Sequence, residues 1–214
     1  SFVTPGKLHL LSHDGYPMPD FPKDLSVEGG QNGYPTVYFA DMDEDGYHEI
    51  IYVSMEGEVF AYRHDGTSYF ASLDGFFAEV PGNMREHIPF VFVDDFNLDG
   101  QNEMIVVMRN SISIFNTHNG IEPDWVPDSE ISDLTGISGA CMADFDGDSL
   151  LELGVVGREA VSEQIYVAMM EPDGTYLEAF PKYLDRVHYM INYPAVADLD
   201  VDGKAEIAFR ISPP

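Results

Sequence analysis

The sequence has one cysteine, few basic residues and no long apolar run. Its 214 residues include 10 Lys or Arg and 38 Asp or Glu, which gives a formal net charge of −28. A nucleic-acid-binding protein needs a basic face, so we expect no nucleic-acid partner. The lone Cys141 lies in an apolar run and is predicted to be a small buried residue without a disulfide. No apolar run reaches about 18 residues, so we expect no membrane insertion.

Motifs of catalysis are also missing. The seven histidines are scattered, and none belongs to a His-Glu-x-x-His pair. The sequence contains neither a Gly-x-Ser-x-Gly nucleophile elbow nor a phosphate-binding loop. We therefore do not expect an enzyme, although acidic loops also occur in polysaccharide-active enzymes.

What the sequence does contain is an acidic loop of nine residues. Residues 41–49 read Asp-Met-Asp-Glu-Asp-Gly-Tyr-His-Glu, with carboxylates at positions one, three, five and nine and glycine at position six. Calcium takes six to eight oxygen ligands at about 2.3–2.6 Å, and a glycine allows the sharp turn that aims alternate side chains at one point. The candidate calcium ligands are Asp41, Asp43, Asp45, Glu49 and the backbone carbonyl of Tyr47.

Three further copies of this loop follow at intervals of roughly 50 residues, a period typical of repeat folds. The second copy has the candidate ligands Asp95, Asn97, Asp99, Gln101 and Glu103; the third has Asp144, Asp146, Asp148, Leu150 and Glu152; the fourth has Asp198, Asp200, Asp202, Lys204 and Glu206. Gln101, Leu150 and Lys204 would each contribute a backbone carbonyl. We expect up to four Ca²⁺ ions. An EF-hand is excluded because the twelfth residue is never glutamate and the flanking segments are predicted strands.

The four sites are predicted to differ. The neutral Asn97 leaves the second site with three carboxylates, so it should bind calcium most weakly by charge. In the third site Ser149 replaces the usual glycine, which we expect to strain the turn.

Short apolar runs on both sides of every loop predict strands. The runs are Thr36–Ala40 and Ile50–Val53, Pro89–Val93 and Met104–Val107, Ala140–Ala143 and Leu153–Val156, and Ala195–Ala197 and Ile207–Ile211. Hairpin turns are predicted between the loops at Asp14-Gly15, Asp65-Gly66, Asn119-Gly120 and Asp173-Gly174. Phe21-Pro22, Val126-Pro127 and Phe180-Pro181 are predicted to end an outer strand, and only Ser129–Leu134 suggests a turn of helix.

Together these signals predict an all-β fold, a β-propeller with four-stranded blades in one domain, residues 1–214. The repeat units are approximately 27–80, 81–134, 135–188, and 189–214 completed by 1–26. In that arrangement Lys7–Ser12 pairs beside Glu206–Ile211 and closes a ring, which favours a monomer. The alternatives are a dimer that forms an eight-bladed ring, or a chain that is half of a larger seven- or eight-bladed propeller.

The pattern Asp-x-Asp-x-Asp-Gly-x-x-Glu after an apolar strand resembles the FG-GAP repeats of integrin α-subunits and, more closely, the VCBS-type repeats of bacterial secreted and surface proteins. The resemblance implies calcium in a hairpin loop at one rim of each blade and an extracellular, secreted or cell-surface location. The Phe-Gly and Gly-Ala-Pro words are absent, and the chain is short for seven blades. We expect a binding or adhesion module whose ligand is a protein or a glycan. The alternatives are a lectin, or a non-catalytic or catalytic propeller domain of a polysaccharide-active enzyme.

Overall fold

The structure, a computed structural model, is built from β-strands. It describes residues 6–25, 36–54, 57–71, 74–81, 88–118, 134, 136–159, 161–186, 189–190 and 193–212. The strands are β1 Gly6–Leu8, β2 Lys23–Leu25, β3 Thr36–Ala40, β4 Glu49–Val53, β5 Glu58–Tyr62, β6 Phe76–Glu79, β7 Phe90–Asp94, β8 Glu103–Met108, β9 Ser111–Asn116, β10 Ile137–Ala143, β11 Glu152–Arg158, β12 Gln164–Met170, β13 Lys182–Arg186, β14 Tyr189–Met190, β15 Ala195–Ala197, β16 Glu206–Ala208 and β17 Ile211–Ser212. The predicted all-β class is confirmed. None of the described segments is a helix that could cross a membrane.

The strands form antiparallel sheets, and in every described sheet except β14–β17 the neighbouring strands follow one another along the chain. Strands β3 to β6 and β10 to β13 make two four-stranded sheets, and β7 to β9 make a three-stranded sheet. Two-stranded sheets are formed by β1 with β2, β15 with β16 and β14 with β17. Each acidic loop joins two paired strands, namely β3 to β4, β7 to β8, β10 to β11 and β15 to β16. The predicted strands beside the loops are therefore present.

One predicted strand is broken. The run Ile207–Ile211 was expected to be continuous, but β16 ends at Ala208 and β17 begins at Ile211. The reason is a change of partner, because β16 pairs with β15 whereas β17 pairs with β14.

Three of the predicted hairpin turns have the same hydrogen bonds. In each, the glycine amide donates to the carbonyl of the residue three positions earlier. That earlier residue donates its own amide to the carbonyl of the residue four positions after it. These carbonyls belong to Ser12, Arg63 and Glu171, and the amide-to-carbonyl distances are 3.0, 2.8 and 2.9 Å. Gly15, Gly66 and Gly174 have φ values of 86–87°, the conformation for which glycine is suited. Asn119-Gly120 lies outside the described residues.

The Phe-Pro pairs open strands instead of ending them. Phe21-Pro22 directly precedes β2, and Phe180-Pro181 directly precedes β13; both peptide bonds are cis. Proline has no N–H to give to a sheet, so it is tolerated just before the first residue of a strand. The prediction that these pairs end an outer strand was wrong. Val126-Pro127 and all of Ser129–Leu134 except Leu134 lie outside the described residues.

The sheets stack face to face in chain order, and alternate side chains of one strand serve two different contacts. On β4, Ile51 and Val53 pack against the β7–β9 sheet, whereas Ile50 and Tyr52 pack on the opposite side against the β1–β2 hairpin. On β11, Val155 packs toward the β7–β9 sheet and Val156 toward β15 and β16. Both faces of the central strands are therefore buried, which explains why β8 is apolar at nearly every position rather than at every second one.

The predicted pairing of Lys7–Ser12 beside Glu206–Ile211 is not among the strand pairs of the described residues. Here β1 pairs with β2 and β16 pairs with β15, and each makes a separate two-stranded sheet. Both hairpins are short, with three-residue strands, and each packs on the outer face of a neighbouring sheet. Ring closure therefore stays a prediction.

Phe115→Ala should destabilise the protein by about 3–5 kcal/mol, the usual cost of removing a buried phenylalanine. Phe115 is fully buried, and its ring lies 6.1 Å from that of Phe77 where two sheets meet. The control is Phe39→Ala, because Phe39 is 59% exposed and an exposed residue outside such contacts usually changes stability by about 0.5 kcal/mol or less. Unfolding in urea measures both, and equal losses would contradict the stacking of these sheets.

Candidate metal centre

The four acidic loops share one hydrogen bond between their last and second residues. In each, the glutamate at position nine accepts a hydrogen bond through Oε2 from the backbone N–H of position two. The pairs are Glu49 with Met42 at 2.9 Å, Glu103 with Phe96 at 3.0 Å, Glu152 with Phe145 at 2.6 Å and Glu206 with Leu199 at 2.7 Å. The glutamate is the first residue of the strand that follows the loop, and this bond holds its side chain against the loop.

The aspartates of each loop hold the turn closed from inside. The aspartate at position one accepts a hydrogen bond from the amide of position six, at 3.0 Å in all four loops. The aspartate at position five accepts one from the amide of position seven, at 2.8 to 2.9 Å. These bonds fix the carboxylates of positions one and five and the backbone of position seven, where the predicted carbonyl ligands lie.

Two bends with positive φ shape every loop, one at position four and one at position six. The values at position four are Glu44 57°, Leu98 57°, Gly147 86° and Val201 63°, and those at position six are Gly46 88°, Gly100 87°, Ser149 74° and Gly203 90°. Each loop has one glycine at these two positions. The third loop places its glycine at position four and leaves Ser149 in the left-handed conformation, whereas the other loops place a non-glycine residue at position four. Each loop therefore has one non-glycine residue under this kind of backbone strain.

Three loops bring carboxylates together closely enough to share a cation. Asp144, Asp146, Asp148 and Glu152 offer ligand atoms that all lie within 4.8 Å of one another. Asp41, Asp43 and Asp45 form such a group in the first loop, and Asp198, Asp200 and Glu206 form one in the fourth. The searched part of the chain includes the whole second loop, and its three carboxylates do not form such a group. Glu49 and Asp202 lie outside the groups of their loops.

Several carboxylate oxygens in these loops are buried and have no hydrogen-bond partner among the described residues. They are Oε1 of Glu49, Glu103 and Glu152, and Oδ1 of Asp43 and Asp95. The three glutamates are 0–2% exposed. A buried charged oxygen normally finds a donor or a cation, because leaving it unpaired is costly. The oxygens therefore fit a bound metal ion.

Burial also changes the acidity of these glutamates. It raises the pKa of Glu103 and of Glu152 to about 7, and it raises the pKa of Glu49 in the same direction. The neighbouring aspartates add to the effect, since like charges disfavour ionisation. The loops thus concentrate negative charge at an energetic cost that a divalent cation would offset.

The charged surroundings differ between the first and third loops. The Arg63 guanidinium lies 2.8 Å from Oδ2 of Asp43 and 3.9 Å from Oδ2 of Asp45, and 5.0 Å from the Tyr69 ring centre. The hydrogen bond to Asp43 raises the pKa of Arg63 further. In the third loop the corresponding residue is Glu171.

Glu171 adds negative charge next to the third loop. Its pKa is raised first by burial and then by the charges of Asp146 and Asp148. The sequence analysis did not single out either Arg63 or Glu171. The signal that identifies them is their place two residues before the aspartate of an Asp-Gly turn.

Neighbouring loops are joined by hydrogen bonds to backbone carbonyls. The Asn102 side chain in the second loop donates to the carbonyl of Asp41 in the first, at 2.9 Å. The Ala205 amide in the fourth loop donates to the carbonyl of Asp144 in the third, at 2.8 Å. Asn102 and Ala205 both hold position eight, so the loops lie side by side in two pairs.

Comparison with known proteins gives weak likenesses. No protein-family model matches the sequence, and no curated protein matches it. A crystal structure of BBS1N in complex with ARL6DN, soaked with lead, is 15% identical over 87% of this chain and 57% of that one, with a TM-score of 0.46. The biofilm matrix protein Bap1 of V. cholerae is 19% identical over 82% of this chain and 34% of that one, with a TM-score of 0.40. The chain spans less than two thirds of either, and at these TM-scores neither likeness bears on its function.

Ser149→Gly should stabilise the metal-free protein by about 1 kcal/mol, since it removes a side chain from a left-handed conformation. The matched control is Gly46→Ser in the first loop. A Cβ at Gly46 meets no atom within 4 Å, so its φ of 88° is the only source of strain. The control should therefore destabilise by a similar amount. Urea unfolding in excess chelator measures both, and an unchanged or lower stability of Ser149→Gly would contradict the strain.

Proposed function

We propose that this chain is a calcium-binding β-propeller domain that acts as a secreted or cell-surface binding or adhesion module. Up to four Ca²⁺ ions would be structural, one in each acidic loop. The observation that carries the proposal is the set of buried carboxylate oxygens without a hydrogen-bond partner in the described part of the chain, which recurs at position nine of three loops.

The donor set favours calcium over other metals. Every side-chain ligand is a carboxylate or amide oxygen, and neither histidine nor cysteine contributes, which argues against zinc and copper. Magnesium demands near-octahedral geometry and keeps several waters, whereas calcium accepts many protein oxygens in a flexible arrangement. The carbonyl offered at position seven adds another oxygen of the kind that calcium takes.

The arrangement of the sheets supports a propeller. Consecutive strands form every described sheet except β14–β17, successive sheets stack face to face, and each acidic loop joins the first two described strands of its sheet. The β15–β16 hairpin and the β1–β2 hairpin are the two halves that would complete a fourth blade. We favour a monomeric ring; light scattering at several concentrations separates it from an eight-bladed ring made by two chains.

Exposed apolar side chains on the loops support a role in binding. Leu98 is 61% exposed, Leu199 72% and Val201 86%, and all three lie in acidic loops. Tyr47 is 57% exposed, and its ring stacks on His64 at 4.2 Å. Apolar groups exposed on loops that a cation would hold rigid are suited to contact a partner. For an extracellular module we expect calcium Kd values of about 10⁻⁴–10⁻³ M.

Excess chelator should lower the melting temperature by about 5 °C or more, and added calcium should restore it, because ions that bind only the folded state stabilise it. Asp146→Ala should remove about one bound ion and part of this calcium-dependent shift. Glu178→Ala is the control, since Glu178 is an exposed carboxylate outside the loops. Calorimetric titration and thermal melting make the measurements. A melting temperature that changes with neither chelator nor calcium would refute the calcium function.

A binding module should retain its ligand with calcium present and lose it in chelator. Panels of glycans and of extracellular proteins, probed under both conditions, test this expectation. Glycan binding alone would favour a lectin, and cleavage of an acidic polysaccharide would show an enzyme. Leu98→Ser and Val201→Ser should weaken binding, and thermal melting in calcium checks that both variants are folded. Binding that persists unchanged in chelator would contradict a calcium-dependent module.

A further inference from the structure

We propose that the residue opening the hairpin turn beside the first and third acidic loops sets how strongly those loops hold calcium. Arg63 places a positive charge in the first loop and lowers its calcium affinity, whereas Glu171 places a negative charge beside the third loop and makes it the stronger of the two sites. This inference rests on the proposed calcium function and ranks the sites within it.

Arg63 and Glu171 hold equivalent places in the fold. Each donates its amide to a threonine carbonyl four residues later, at 2.8 and 2.9 Å, and each accepts the amide of the turn glycine three residues later. Each follows the third strand of its sheet directly, after β5 and β12. One position of the repeat therefore faces two acidic loops with opposite charges.

In the first loop, Arg63 uses the oxygens that a metal would need. Its Nη1 lies 2.8 Å from Oδ2 of Asp43, and Asp45 is the next carboxylate at 3.9 Å. The guanidinium is held from its other side by the Tyr69 ring at 5.0 Å. A calcium ion in this loop must displace the guanidinium from Asp43 or tolerate a like charge beside it. Oδ1 of Asp43 is still buried without a hydrogen-bond partner among the described residues, so the loop keeps a weakened site.

In the third loop the same position supplies negative charge. Glu171 is partly buried, and the charges of Asp146 and Asp148 act on it. This loop already gathers four carboxylates within 4.8 Å, and its Glu152 has a buried oxygen without a partner in the described part of the chain. Glu171 lies outside that group of four, but its negative charge beside the loop raises the cost of leaving the loop empty, and calcium affinity rises with the negative charge at the site.

The second loop has a neutral residue at this position. Strand register places Asn116 there, opposite the position-nine Glu103. Its side-chain amide donates to Oε1 of Gln101 at 3.4 Å. It adds no charge to a loop that already has Asn97 in place of an aspartate. The first and third loops each contain four candidate carboxylate ligands, so that count predicts equal calcium affinities. The charge of the hairpin residue predicts different affinities.

The test is a calcium titration by calorimetry of the chelator-treated protein and of two neutral variants. Glu171→Gln should weaken the site of the third loop about tenfold, the scale expected for one nearby charge at a partly exposed site. Arg63→Gln should strengthen a different site about tenfold, and adding Asp43→Asn should abolish that gain. Arg63→Lys and Glu171→Asp keep the charges and should keep the wild-type order of sites. Circular dichroism and melting in chelator confirm that each variant folds.

The outcomes separate the two levels of the proposal. If wild type binds no calcium and Asp146→Asn changes nothing, the proposed calcium function fails, and this inference fails with it. If Asp146→Asn removes one site but Glu171→Gln leaves the Kd of that site unchanged, the ranking alone is overturned. The ranking is overturned equally if Arg63→Gln leaves every site at its wild-type affinity.

Discussion

The hydrogen bond from the backbone of position two to the glutamate at position nine is the constraint on which the acidic loops depend. It ties the first residues of a loop to the first residue of the next strand, and it fixes one oxygen of the glutamate. In Glu49, Glu103 and Glu152 the other oxygen is buried without a partner among the described residues. The strand pair positions the glutamate, and the glutamate in turn defines the site.

The fold supplies this arrangement repeatedly because both faces of the central strands are buried. Neighbouring residues such as Ile50 and Ile51 pack into different clusters, one on each side of the same sheet. A strand held from both sides cannot slip by one residue without exchanging its two faces. The stacking thus fixes the register in which β4, β8 and β11 deliver their glutamates to the loops.

Much of this could be predicted from local sequence, because the determinants are local. The spacing of the carboxylates in residues 144–152 predicts a loop closed by hydrogen bonds from its own backbone amides to its carboxylates. The Asp-Gly pairs predict the hairpin turns. Arg63 was missed because it reaches Asp43 only through strand pairing across 20 residues. The break before β17 was missed for a similar reason, since a change of strand partner leaves no signal in an apolar run.

The bonds between neighbouring loops mean that the candidate sites are not four independent units. Asn102 reaches the Asp41 carbonyl only while the second loop keeps its shape, and Ala205 has the same relation to Asp144. Disorder in one loop therefore removes a hydrogen bond from its neighbour. Ordering one loop lowers the entropy cost of ordering the other loop of the pair. The loops are thus joined in two pairs, and ions bound to both members of a pair would be expected to bind with positive cooperativity.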